Sequence, residues 1–406
     1  MKFCKNLGLF LIVLRAIFSM LIIISLLFVS CNDNSNEKVI GVILSSSGKA
    51  DFIGKPEKAI LEILENDYNE SDSNINKVRL EIVDSNGSLE KALSLFNNFS
   101  KRDDVIAIIG PSTSGESIGV ASKAREQKIP LLSLAASSKI VLNEDGSTNP
   151  WVFKFAQNDN LAADKVLRSI RRSGFSNIAI LSSDDGFGKS GEAELTSIIE
   201  STNLNVLYKG RYPSSLDNPE PYAANVVKND SVDAVIIWGT APGPALLVQS
   251  LSRNNYKGKV YFSHANASES FLMSAGTASE GCIILGSRVL LNEDDLDGNE
   301  VSDLVLTHFK DLWSYNFDDS PSQFGGYARD AYVSLIEILD EENLEGDISE
   351  IRQNVRNRLE QLTRFYGVTG TYSFSRDNHT GLGLDAFVIY EVKDGEFVPH
   401  NESFGY

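Results

Sequence analysis

The chain has 406 residues and a formal net charge of -18. Its 42% hydrophobic and 9% aromatic content supports packed cores rather than disorder, and its length suits two domains of ordinary size. Setting aside the +3 of Lys2, Lys5 and Arg15 at the start, the remainder carries about -18 - 3 = -21, which opposes binding to nucleic acid and to anionic lipid headgroups.

The first element is the N-terminal run. A basic start is followed by an apolar stretch from Ala16 to Val29, and Ser30 precedes Cys31. This pattern resembles a bacterial lipoprotein signal, with Phe28 where that signal usually carries leucine. The resemblance implies cleavage after residue 30, lipidation of Cys31 and a short polar tether over 31–38. The other reading is an uncleaved anchor, since the run approaches the length that spans a bilayer. Both readings place the body outside the cytoplasm. Of the other cysteines, Cys4 falls inside the signal and Cys282 stands alone, so no internal disulfide staples the fold. Cys282 reads as a buried small hydrophobe.

From residue 39 onward, short apolar runs alternate with amphipathic stretches. Strands are expected at Val39–Leu44, Val78–Val83, Val105–Ile109, Pro130–Leu134 and Trp151–Phe155, with helices around Pro56–Tyr68, Leu89–Phe99 and Ile118–Gln127. A second series follows: helix Leu161–Arg172, strand Ile178–Leu181, helix Glu192–Glu200, strand Asn205–Tyr208, helix Tyr222–Lys228, strand Ala234–Trp238, helix Pro244–Arg253 and strand Lys259–Phe262. Continuous apolar strands alternating with helices predict parallel sheets covered on both faces, and two series predict two doubly wound α/β lobes. The last third reads as helices at Leu304–Tyr315, Tyr327–Leu339 and Ile348–Leu362. Strands at Gly370–Phe374, Ala386–Val392 and Glu396–Val398 follow. These are too few for a third sheet, so the tail is expected to complete the two lobes. The expected division is 39–156 with 287–385 for the first lobe and 157–286 with 386–406 for the second, with crossings near Ala156, Gly286 and Asp385.

Ligands of doubly wound lobes gather beyond the carboxyl ends of the strands. Four such edges carry polar or small residues: Ile109–Glu116, Leu134–Ser138, Ser182–Gly188, and Gly239–Pro242 with Ser263–Asn266. The hydroxyls of Ser112 and Ser114 either cap a helix or meet a carboxylate at its N-terminus. Phe187 either covers an apolar group or packs on its own lobe. Gly188-Lys189-Ser190 echoes a phosphate loop but has Ser183 where that motif needs glycine. The four histidines lack metal-site spacing, the acidic runs 292–297 and 340–345 lack calcium-loop spacing, and no nucleophile elbow is present. No catalytic constellation, metal site or cofactor site is expected.

Several segments, in order, resemble type I periplasmic binding proteins, specifically the Leu/Ile/Val-binding-like substrate-binding proteins of ABC transporters. They are Ile40-Gly41-Val42, Ser45–Gly48 with Gly54, Ile108–Pro111, Lys128–Ser133, Tyr327–Tyr332 and Gly367–Phe374. The resemblance covers about Val39 to Val398. It implies two lobes joined by three crossings and closing on a ligand. Position by position, it implies that Ser114 holds a ligand carboxylate, that Ala135 and Ser137 contribute backbone and hydroxyl contacts, and that Phe187 covers the ligand. Thr240 stands where some members carry tyrosine. His264 stands where amino-acid-binding members place a carboxylate against the ligand ammonium, which an imidazole does not replace. Glu116, Asp184 and Asp185 are the acids near the expected cleft. The implied role is an extracytoplasmic lipoprotein that delivers a small amino acid, or a related carboxylate or amide, to an ABC permease. The rival is a ligand-sensing or cell-wall-regulating lipoprotein of the same fold that acts through a protein partner.

Overall fold

The computed structural model describes residues 38–70, 78–296, 300–341, 344 and 346–400. The expected signal, Cys31 and most of the tether lie outside these residues. Among the described residues, no helix is long and apolar enough to cross a membrane.

The first sheet contains five parallel strands: β1 (Lys38–Leu44), β2 (Val78–Asp84), β3 (Val105–Ile109), β4 (Leu131–Ser133) and β5 (Val152–Lys154), in the order β2-β1-β3-β4-β5. Alternate residues of β1 enter different cores. Ile40, Val42 and Leu44 pack with the helices Asp51–Glu70 and Gln323–Asp340, whereas Val39 and Ile43 pack with Leu89–Ser100 and Ser114–Gln127. A strand buried on both faces reads as an unbroken apolar run, which is why β1 and β3 were visible as such.

The second sheet carries β6 (Asn177–Ser183), β7 (Asn205–Tyr212), β8 (Ala234–Trp238), β9 (Lys259–Phe262), β10 (Ile283–Gly286), β13 (Val388–Lys393) and β14 (Glu396–Pro399), ordered β14-β13-β10-β9-β8-β6-β7. Five of these strands run parallel, while β13 and β14 add an antiparallel edge. The returning tail therefore extends one sheet with strands and covers the other with helices. Leu306, Phe309, Trp313, Leu335, Ile351 and Leu359 of the late helices all join the first sheet's core.

The expected strand Gly370–Phe374 shrinks to a two-residue ladder between β11 (Phe365–Tyr366) and β12 (Thr371–Tyr372). Its residues serve another purpose. Asp330 accepts hydrogen bonds from Val368 N (2.9 Å), Thr369 N (3.0 Å) and Thr369 Oγ1 (2.7 Å), and the Tyr372 hydroxyl donates to Phe155 O (2.7 Å). A Cβ on Gly367 would lie 2.5 Å from Asp330 Oδ2, so this turn admits no side chain. Two helices also begin earlier than their apolar periodicity predicts. Ser114–Gln127 starts four residues before Ile118 and Gly186–Ile199 six before Glu192, because their first turns, Ser-Gly-Glu-Ser and Gly-Phe-Gly-Lys, carry no apolar stripe of helical spacing.

The three crossings converge on Gln157, which is fully buried. Its Nε2 donates to Gly286 O (3.4 Å) and to Ala386 O, one carbonyl from each of the other two crossings, while Tyr327 OH donates to its Oε1 (3.0 Å). One amide thus ties together the three segments that run between the two sheets.

Candidate functional site

The carboxyl ends of both parallel sheets open into one cavity of about 500 Å³ between the lobes, within the range of small-molecule sites. Ser114, Ala135, Phe187, Thr240 and His264 all line it, together with Glu116, Asp185, Leu134 and Tyr327. Asp184 is not in the lining; its carboxylate accepts from Ser214 N (2.8 Å). Ser137 is buried just behind the wall. Its backbone N–H donates to Ser114 Oγ (3.3 Å), and its hydroxyl shares a proton with Ser190 Oγ (2.6 Å). Ser137 is therefore placed to bridge the two lobes rather than to face the cavity.

On the first lobe, neither Ser112 nor Ser114 caps the helix that follows β3. The cap is Thr113, whose Oγ1 accepts from Glu116 N (3.5 Å) and donates to Glu116 Oε2 (2.5 Å). Ser112 instead accepts from Ser45 N (3.0 Å) and donates to Glu57. The Ser45 hydroxyl donates to Glu116 Oε2 (2.8 Å). Two buried carboxylates, Glu57 and Glu116, thus lie in one hydroxyl network behind the Ser114 loop. Burial pushes the Glu57 carboxyl well above its ordinary range, with Ser112 opposing and neighbouring Glu116 adding. Glu116 Oε1 has no hydrogen-bond partner among the described residues, and neither has Glu57 Oε1.

On the second lobe the wall is aromatic. Phe187, Trp238 and Phe387 surround His264 edge-on, at ring-centroid distances of 5.6, 6.3 and 5.8 Å and interplanar angles of 84°, 81° and 81°. His264 is 2% exposed, and neither of its ring nitrogens has a partner among the described residues. Its backbone is pinned from the first lobe, where Gln323 Nε2 donates to His264 O (2.6 Å). Burial, reinforced by the Lys154 ammonium, pushes the imidazole down to about 3, so the ring is neutral at physiological pH. Lys154 is itself fully buried at the end of β5. It donates to Ala136 O (2.9 Å), Ser137 O (3.3 Å) and Asn158 Oδ1 (2.6 Å), and burial brings it down to about 7.

The lobes meet at the edge of the cavity through bare backbone. A Cβ on Gly186 would lie 2.8 Å from Gly115 Cα, so the first turns of the two cleft helices abut at a pair of glycines. Asp185 caps the second of these helices, accepting from Gly188 N (2.8 Å) and Ser183 Oγ (2.9 Å). Among the described residues, no cluster of three metal-ligating side chains occurs. The Glu57 network, Lys154 and the Trp238 wall were not foreseen from sequence. The Thr113–Glu116 spacing was the one available signal.

Comparison with known proteins follows the same lines. A family model described as periplasmic binding protein matches residues 38–396. An extracellular ligand-binding receptor from Rhodopseudomonas palustris HaA2 superposes with a TM-score of 0.81 at 21% identity, covering 90% of this chain and 99% of that one. The leucine-binding protein LivK of Thermotoga maritima gives a TM-score of 0.76 at 16% identity, covering 89% and 97%. Among curated proteins, the G-protein coupled receptor family C group 6 member A of Carassius auratus is 26% identical over 41% of this chain and 20% of its own length. The chain spans about a fifth of the curated receptors it matches.

Proposed function

The chain belongs to the periplasmic binding protein family, with the type I two-lobed fold, and on that footing we propose that it is an extracytoplasmic substrate-binding lipoprotein of an ABC importer. Its ligand is a small amino acid or a related small carboxylate or amide. Ser114 and the free amides of the helix it opens hold the anionic end, Ala135 lets the ligand approach the backbone, and Phe187 packs on its body. Thr240 and His264 close the site from the second lobe. The protein binds its ligand without converting it. Cys31 carries the lipid, and the permease takes the ligand from the closed form.

The observation that supports this reading is the convergence of Ser114, Ala135, Phe187, Thr240 and His264, separated by up to 150 residues of sequence, on one cavity between the lobes. A melting-temperature screen tests it, run on the full chain in detergent against amino acids, their deaminated acids, amides and short peptides. A ligand at 100 times its Kd stabilises by about 2.7 kcal/mol, a readily seen shift. The expected result is a shift with one chemical class that Ser114→Ala abolishes. A shift with none of them defeats the small-ligand reading in favour of a role through a protein partner.

A further inference from the structure

Of the residues lining the cavity, two carry buried side-chain atoms without a hydrogen-bond partner among the described residues: Glu116 on the first lobe and His264 on the second. Glu116 is 1% exposed. Its Oε2 accepts from the Ser45 and Thr113 hydroxyls, but its Oε1 accepts from neither. A carboxylate accepts hydrogen bonds only, and a buried anionic oxygen left without a donor is strongly disfavoured. Among the described residues, no cation takes that place. Lys49 lines the mouth but is exposed, and Lys154 is occupied by three oxygens. The other acid in the lining, Asp185, is engaged as a helix cap.

We propose that Glu116 is the residue that selects a ligand bearing a protonated amine, pairing its ammonium from the first lobe, while His264 takes a further hydrogen bond from the second. This rests on the reading of the cavity as the ligand site and names the ligand's charged group. The position occupied by His264 supplies no charge, and its ring is held in one orientation by Phe187, Trp238 and Phe387. Recognition of the cation is thereby moved across the cleft. The ammonium meets the same loop that offers Ser114 and the helix amides to a carboxylate two residues away. A zwitterion, whose two charges are adjacent, fits that pairing. A lone carboxylate would face Glu116 unshielded.

The test is isothermal titration of the full chain in detergent with each amino acid that shifts the melting temperature, and with its deaminated counterpart. Wild type is expected to bind the amino acid about 10-fold or more tighter. Glu116→Gln keeps an acceptor for Thr113 and Ser45 and removes the unpaired charge, so its unliganded melting temperature should be no lower than that of wild type while most of that preference disappears. Glu116→Asp, which keeps the charge, should retain the preference in weakened form, which a purely structural role would not predict. Equal binding of both compounds by wild type, or undiminished discrimination in Glu116→Gln, overturns the proposal and leaves the cavity as a ligand site. A panel in which nothing binds defeats the small-ligand reading itself.

Discussion

The two walls of the cleft are built on different physical principles. The first lobe presents hydroxyls and carboxylates joined in a chain, Ser45, Ser112, Glu57, Thr113 and Glu116, around the start of a helix. The second lobe presents rings, Phe187 and His264, with Trp238 and Phe387 packed behind them. A hydrogen-bonded wall recognises charge and direction, because each unmet partner is penalised. An aromatic wall recognises shape, because it offers area and little direction. On the proposed reading, this division lets one lobe orient the ligand while the other tests its size.

The most severe way to break the contrast is Trp238→Ala. Trp238 is fully buried and supports both Phe187 and His264. Its truncation should destabilise the protein by about 3–5 kcal/mol, read as a lower urea midpoint with an unchanged slope. No single change in the first wall removes comparable area. Gln157→Ala acts on the hinge between the walls. It leaves the carbonyls of Gly286 and Ala386 without their shared donor and should cost about 1–3 kcal/mol. Faster hydrogen exchange at all three crossings, with each lobe's core strands unchanged, would mark it as a hinge effect.

The second wall is also tested by pH. His264 titrates at about 6.5 when exposed and about 3 in the folded chain, so between these values the unfolded state binds more protons. Stability from this group is therefore full above pH 6.5 and is lost as the pH falls toward 3. Denaturation midpoints of wild type should fall more steeply through that window than those of His264→Gln. Parallel curves would mean that the imidazole is not held neutral.

The architecture was legible because its strands are apolar on both sides and its helices keep a regular apolar stripe. Every strand of the first sheet lay within the expected runs or overlapped them. Less legible were the features that depend on distant partners. Glu57 sits in a helix rich in charge and reads as solvated; only its meeting with Ser112, 55 residues away, buries it. Lys154 closes an apolar strand and is buried by the backbone of Ala136 and Ser137. The helix starts at Ser114 and Gly186 carry too little apolar signal to be seen, although they form the edge of the cleft. Ser137 shows the limit of positional analogy, since its hydroxyl is engaged by Ser190 across the lobes.

The glycine pair at that edge lets the two cleft helices meet main chain to main chain, since a Cβ on Gly186 would lie 2.8 Å from Gly115 Cα. On the proposed reading, in which the lobes close on a ligand, that contact is a rigid stop set by the chain itself and not by the cargo. A cargo too bulky to let the glycines touch would then be rejected mechanically, before any chemistry of the walls is consulted.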